Sequence, residues 1–113
     1  MKEIVIKEIN VNGKAILGGE IGNPESPEKP AIIVLIGKKG LIVCRNFDIS
    51  ALDERGITAA RVKGLTKIED ALEAKIESCT SKAKALGIVE GMTGKEALMK
   101  LALAQNMPNK GEN

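Results

Sequence analysis

The chain of 113 residues contains no His, no Trp and no Tyr, and a single Phe, Phe47. Without His there is no Ser-His-Asp or Cys-His catalysis within one chain, no imidazole metal ligand and no imidazole switch near neutral pH. Without a set of aromatics there is no stacking platform for single-stranded nucleic acid or RNA loops. An excess of one charge is missing too. Residues 1–56 hold 8 basic and 8 acidic groups, and residues 57–113 hold 9 and 7. Phosphate-backbone binding needs a one-sided basic surplus, so a nucleic-acid partner is not expected. The two cysteines, Cys44 and Cys79, form no C-x-x-C pair, so neither a zinc site nor any other metal or cofactor site is indicated.

Long apolar runs are also lacking. Met1–Glu8 does not have the apolar stretch of a signal peptide. The longest apolar run, Ala31 to Cys44, is interrupted by Gly37-Lys38-Lys39-Gly40 and is too short to span a bilayer as a helix. The reading is a cytoplasmic protein with reduced thiols and no membrane partner. Apolar residues make up 43% of the chain and charged residues 28%, a balance that suits a globular domain and not a disordered one. The apolar content is nearly all aliphatic, Lys and Glu are abundant, and Gln occurs once, at Gln105. That composition leans toward a thermophilic source.

The first half reads as strands. Glu3–Val11 and Lys14–Ile21 flank Asn12-Gly13, the strongest two-residue hairpin signal. Pro24, Pro27 and Pro30 forbid regular structure in the next segment. Ala31–Ile36 and Leu41–Arg45 then make a second hairpin around Gly37–Gly40. Asp48–Gly56 looks like two helical turns, with Asp48 as N-cap and Gly56 just past the end. Alternation over Ile57–Gly64 predicts a fifth strand.

Thr66-Lys67-Ile68-Glu69 has the form of a capping box, with Glu69 reaching back to the N-cap. Ile68, Leu72, Ile76, Cys79, Ala83 and Leu86 then recur at helical spacing, predicting one helix or two over residues 66–86. Thr93-Gly94-Lys95-Glu96 opens a last helix, and residues 106–113 read as a disordered polar tail. The expected fold is a single α+β domain over residues 1–105. It has a mostly antiparallel sheet of about five strands and C-terminal helices on one face. Ile32–Ile36 and Leu41–Cys44 are apolar on both faces, and a half-wet antiparallel sheet should alternate. Either helices wrap to the second face or another subunit covers it; a homo-oligomer is the expectation, because so short a chain has little material for both sides.

Candidate chemistry gathers at strand and helix ends. Cys44 closes a strand and Asp48 opens a helix four residues later, a setting in which a thiol can act as nucleophile. Asn46 can donate to an anion. Arg61, on an apolar strand, needs a partner, for which Asp48 is the candidate. Each residue also has a plain structural reading: Cys44 as core, Asp48 as a cap, Arg61 as an edge cation. Gly91-Met92-Thr93-Gly94-Lys95 invites a phosphate-loop reading, with Thr93, Gly94 and Lys95 as anion donors. The full motif is absent, since Val89 stands where Gly is required and Glu96 where Ser or Thr is required.

Two further stretches carry a resemblance. Gly40-Leu41-Ile42-Val43-Cys44 is followed by Asp48, Arg55-Gly56-Ile57, Ala59, Arg61 and Gly64. Later come Leu86-Gly87-Ile88, Gly91-Met92-Thr93-Gly94-Lys95-Glu96 and Ala97-Leu98. In order and spacing these resemble the YunC-like domain-of-unknown-function family of small bacterial and archaeal proteins, over roughly residues 40–100. The resemblance implies a compact domain with no assigned activity and carries over no catalytic residue. It makes Cys44, Asp48, Arg61 and the Gly91–Glu96 turn the positions that match the family's motifs. The chain departs from the pattern at Arg45-Asn46-Phe47, where small or apolar residues fit better.

Three functions remain open on the sequence. One is a homo-oligomeric ligand-binding or regulatory domain with its site near Cys44, Asp48 and Arg61. Another is a cysteine-dependent enzyme acting on a small anionic substrate, with Cys44 as nucleophile and Asp48 as proton acceptor. The third is a purely structural assembly subunit.

Overall fold

The computed structural model describes residues 4–26 and 28–103. The expected polar tail at 106–113 lies outside the described residues. Six strands form one sheet in sequence order: β1 (Ile4–Val11), β2 (Lys14–Ile21), β3 (Ile32–Ile36), β4 (Leu41–Val43), β5 (Ala59–Val62) and β6 (Ile76–Cys79). Neighbours are antiparallel except β4 and β5, which run parallel. Among the described residues there are three α-helices: α1 (Ile49–Glu54), α2 (Ser81–Ala85) and α3 (Gly94–Leu103). The α+β class stands as the sequence indicated, with one strand more than expected.

The first hairpin forms where Asn12-Gly13 places it. Both residues take positive φ, 52° and 84°, as a two-residue turn between right-twisted strands requires. The Asn10 side chain adds a bond from the Gly13 N–H at 2.9 Å. A parallel pair cannot be joined by a tight turn, so β4 and β5 are linked by the crossover that carries α1. Asp48 caps that helix through its carboxylate, which accepts from the Ala51 N–H at 3.1 Å.

Of the one helix or two expected over residues 66–86, only the C-terminal end, Ser81–Ala85, is α-helical. Ile68–Leu72 is a short 3₁₀ turn, Ile76–Cys79 is strand β6, and α2 begins only at Ser81. A β-bulge explains the misleading spacing. Val62 pairs with Ile76, Arg61 with Ser78 and Ala60 with Cys79, so β6 holds one extra residue where β5 has none. The extra residue turns Ile76 and Cys79, three apart, onto the same face. In an unbulged strand a spacing of three puts side chains on opposite faces, and in a helix it puts them together. The capping carboxylate also differs. Asp70, not Glu69, accepts from the Thr66 N–H at 3.0 Å and the Thr66 hydroxyl at 2.8 Å, while Glu69 pairs with Lys7 on β1. The second capping box forms as written: the Thr93 N–H donates to Glu96 at 2.9 Å and the Glu96 N–H to the Thr93 hydroxyl oxygen at 3.1 Å.

One face of the sheet carries the core. Ile16, Ile33, Leu35, Ile42, Cys44, Ala60, Val62 and Cys79 bury against Ile68 and Ala71 of the 3₁₀ turn, Ala83 of α2, and Ala97, Leu98, Leu101 and Ala102 of α3. The other face is covered only in part. Val43 and Ala59, which point away from that core, are fully buried where α1 crosses over β5. The same face of β1–β3 is open, with Ile4, Ile6, Leu17, Ile21 and Ile36 exposed. Among the described residues no helix is long and apolar enough to cross a membrane.

Candidate functional site

The candidate residues divide into three places. Cys44 and Asn46 come together in a cleft of about 360 Å³ at the end of β4. Its walls are Lys29–Ala31 from the proline-rich connection, Ile33 of β3, Cys44–Asn46, and Gly64–Thr66 from the segment after β5. The segment after β4 is held to the start of β3. The Cys44 N–H donates to the Ile33 carbonyl at 3.2 Å, and the Asn46 amide donates to the Ala31 carbonyl. The Cys44 thiol is buried, and its sulfur accepts from the Ile33 N–H at 3.5 Å. Cys79 is also buried in the core and donates to the Ile88 carbonyl at 3.6 Å; burial raises its pKa.

The cleft's charge is one-sided. Lys29 and Arg45 line it, no carboxylate does, and among the described residues neither cation takes part in an ion pair. Asn46 has a second amide hydrogen beyond the one given to Ala31. Thr66 contributes little as a donor, because its hydroxyl already serves Asp70. Asp70 is held below the usual carboxylate range by the Thr66 N–H and hydroxyl and then by Lys67. A fixed negative charge therefore stands behind the Thr66 wall, which leaves the Lys29 and Arg45 rim as the attractive side for an anion.

Asp48 and Arg61 are not part of this cleft. Asp48 is occupied as the α1 cap. Arg61 is bound to Glu77 instead of Asp48: its Nε donates to Glu77 Oε1 at 2.8 Å, and one terminal nitrogen donates to the Phe47 carbonyl at 2.7 Å. Lys63 adds a second cation to the same carboxylate at 3.0 Å. Bonds from Lys63 and then Arg61 hold Glu77 below its ordinary pKa. Glu77 is the residue that sequence reasoning missed. It is the bulge residue of β6, and the helical reading of that segment concealed its place next to Arg61.

Thr93, Gly94 and Lys95 lie at the start of α3, apart from the cleft lining. The donors there are used internally. Besides the Thr93 and Glu96 pairing, the Gly94 N–H donates to the Ala74 carbonyl at 2.8 Å. A Cβ at Gly94 would sit 1.8 Å from the Ala71 carbonyl oxygen, so this glycine is required by close packing of backbone on backbone. Among the described residues no group of three or more Cys, Asp or Glu is gathered closely enough to hold a metal ion.

A mixed six-stranded sheet with one helix-covered face and a basic cleft beside a buried thiol defines the class of protein in structural terms. Residues 43–101 match the family model described as "Domain of unknown function (DUF1805)", and the chain belongs to that family. It is 39% identical over 77 residues to the uncharacterized protein YunC of Bacillus subtilis (strain 168), covering 65% of this chain and 76% of that one. The fold is similar to the crystal structure of a protein of unknown function from Thermoplasma acidophilum. There the TM-score is 0.76 at 26% identity, over 88% of this chain and 93% of the other. The matched region holds Cys44, Asn46, Asp48, Arg61 and the Gly91–Glu96 turn, whereas Lys29 lies outside it.

Proposed function

We propose that this chain is a non-catalytic binding domain that takes a small anionic ligand in the Cys44–Thr66 cleft. The observation that carries the reading is the cleft's lining, with two cationic side chains and no carboxylate. A small anion would meet Lys29 as a point charge and Arg45 as a planar fork. The free Asn46 hydrogen would fix its orientation, and the buried thiol side would exclude water. Support for binding over thiol catalysis comes from the cleft lining, in which, among the described residues, no carboxylate stands beside Cys44. Asp48 is used as a helix cap, and Arg61 is held by Glu77.

Isothermal titration with phosphate, sulfate, citrate and a nucleoside monophosphate tests the reading, on the wild type and on the Lys29→Glu/Arg45→Glu double variant. The expected result is saturable binding of at least one anion, weakened at least about tenfold in the variant, since each lost charge-assisted bond contributes about 1.5–3 kcal/mol. No binding at millimolar anion, or equal binding by the variant, overturns it. Rapid alkylation of Cys44 in the native protein would favour the enzyme reading instead.

A further inference from the structure

The open face of β1–β3 is ordered in three cross-strand rows. Ile4, Ile21 and Ile32 form the first, Ile6, Gly19 and Val34 the second, and Glu8, Leu17 and Ile36 the third. Ile4 is 65% exposed, Ile6 68%, Leu17 44%, Ile21 44% and Ile36 40%. Together they present on the order of 500 Å² of apolar surface, at the upper end of what a soluble monomer leaves in one patch. The middle row has a specific shape. Gly19 has no side chain, so a hollow of about 240 Å³ opens between Ile6 and Val34, walled by the aliphatic groups of the flanking rows. Ile6 projects next to that hollow.

We propose that a second copy of this chain covers this face, in a two-fold sheet-on-sheet contact in which each Ile6 enters the other copy's Gly19 hollow. A two-fold contact must be self-complementary, because the same patch supplies both sides. A knob and a hole in one row meet that condition on a single surface. The patch supplies more than half of the roughly 800 Å² that each partner gives to a standard interface, and the polar rim at Glu8 and Asn10 can supply more. Glu8 is the single charged residue among those facing outward from these three strands. The face thus lacks both a charge pattern to select a different charged protein and the basic ring that would draw it to an anionic lipid surface. The proposal is independent of the anion cleft, whose lining shares no residue with the hollow.

Size-exclusion chromatography with light scattering, at micromolar concentration, tests it. The wild type is expected at twice the chain mass or an even multiple. Ile6→Glu is expected to halve that mass with an unchanged circular dichroism spectrum, because a side chain so exposed in the single chain is not needed for its fold. Leu17→Glu should do the same, and Lys29→Glu/Arg45→Glu should leave the mass unchanged. A monomeric wild type overturns the proposal and leaves the face to a different protein, or to lipid if that monomer co-sediments with phosphatidylcholine vesicles. An oligomer whose mass survives both Ile6→Glu and Leu17→Glu overturns it as well, since the contact then lies elsewhere on the chain.

Discussion

Strands β4 and β5 and strands β1–β3 share one sheet, yet on the face away from the main core they meet opposite fates. Val43 and Ala59 are fully buried there, and Ile4 and Ile6 are about two-thirds exposed. Both regions are rich in aliphatic side chains, so composition does not separate them. Connectivity does. Strands β1 to β4 follow one another antiparallel, and the two tight hairpins among their links bring no material to either face. The parallel β4–β5 pair needs a crossover, and the crossover brings α1. Where the chain must cross the sheet it covers its own second face. Where it turns back tightly, it leaves that face open.

Substitutions of equal chemistry can sharpen that contrast. The largest effect is expected for Gly94→Ala, where α3 packs on the 3₁₀ turn at the main core. The new methyl would overlap the Ala71 carbonyl, and a loss above about 3 kcal/mol is expected in urea unfolding. Thr80→Val comes next. Thr80 is fully buried, and its hydroxyl oxygen accepts from the Ala59 N–H at 3.1 Å and the Ala83 N–H at 3.4 Å. Leaving those donors without a partner should cost about 2 kcal/mol by the same measurement. Thr93→Ala removes one half of the capping box of α3 and should cost about 1 kcal/mol. In the open region Gly19→Ala meets nothing closer than Val34 at 3.5 Å and should change monomer stability by less than about 0.5 kcal/mol. A large loss there would break the comparison.

The smallest effect is a pH dependence. Lys63 and Arg61 depress the folded-state pKa of Glu77, so the pairing stabilises the fold fully above the unfolded glutamate value of about 4.3. That stability is lost as pH falls through the lower folded value. Glu77→Gln should therefore be less stable than wild type at pH 7, with the difference shrinking below pH ~4 in parallel urea titrations.

Several elements were legible because their cause is local. The hairpin at Asn12-Gly13 needs only two residues that accept positive φ. The caps at Asp48 and Thr93 need a side-chain oxygen two or three residues from a free N–H. The apolar runs of β3 and β4 pointed to cover on both faces, which holds at Val43 of β4 and not at Ile36 of β3, left 40% exposed. Of the candidate site, Cys44 and Asn46 share a cleft, as their nearness in sequence allowed, but its other walls come from Lys29–Ala31 and Gly64–Thr66. No periodicity joins those segments. Arg61 was marked as needing a partner, and the partner was misassigned because Glu77 reaches it only through the β5–β6 pairing.

By itself, then, the sequence determined the turns, the caps at Asp48 and Thr93, the α+β class and the list of side chains with which any chemistry here must work. Those depend on contacts within a few residues, where composition and spacing act directly. Tertiary structure alone decided that Ile76–Cys79 is a strand, that Arg61 is held by Glu77, and that one half of the sheet's second face is closed and the other open. A single extra residue in β6 turned a strand's period of two into the spacing of a helix, and only the neighbouring strand defines that residue as extra.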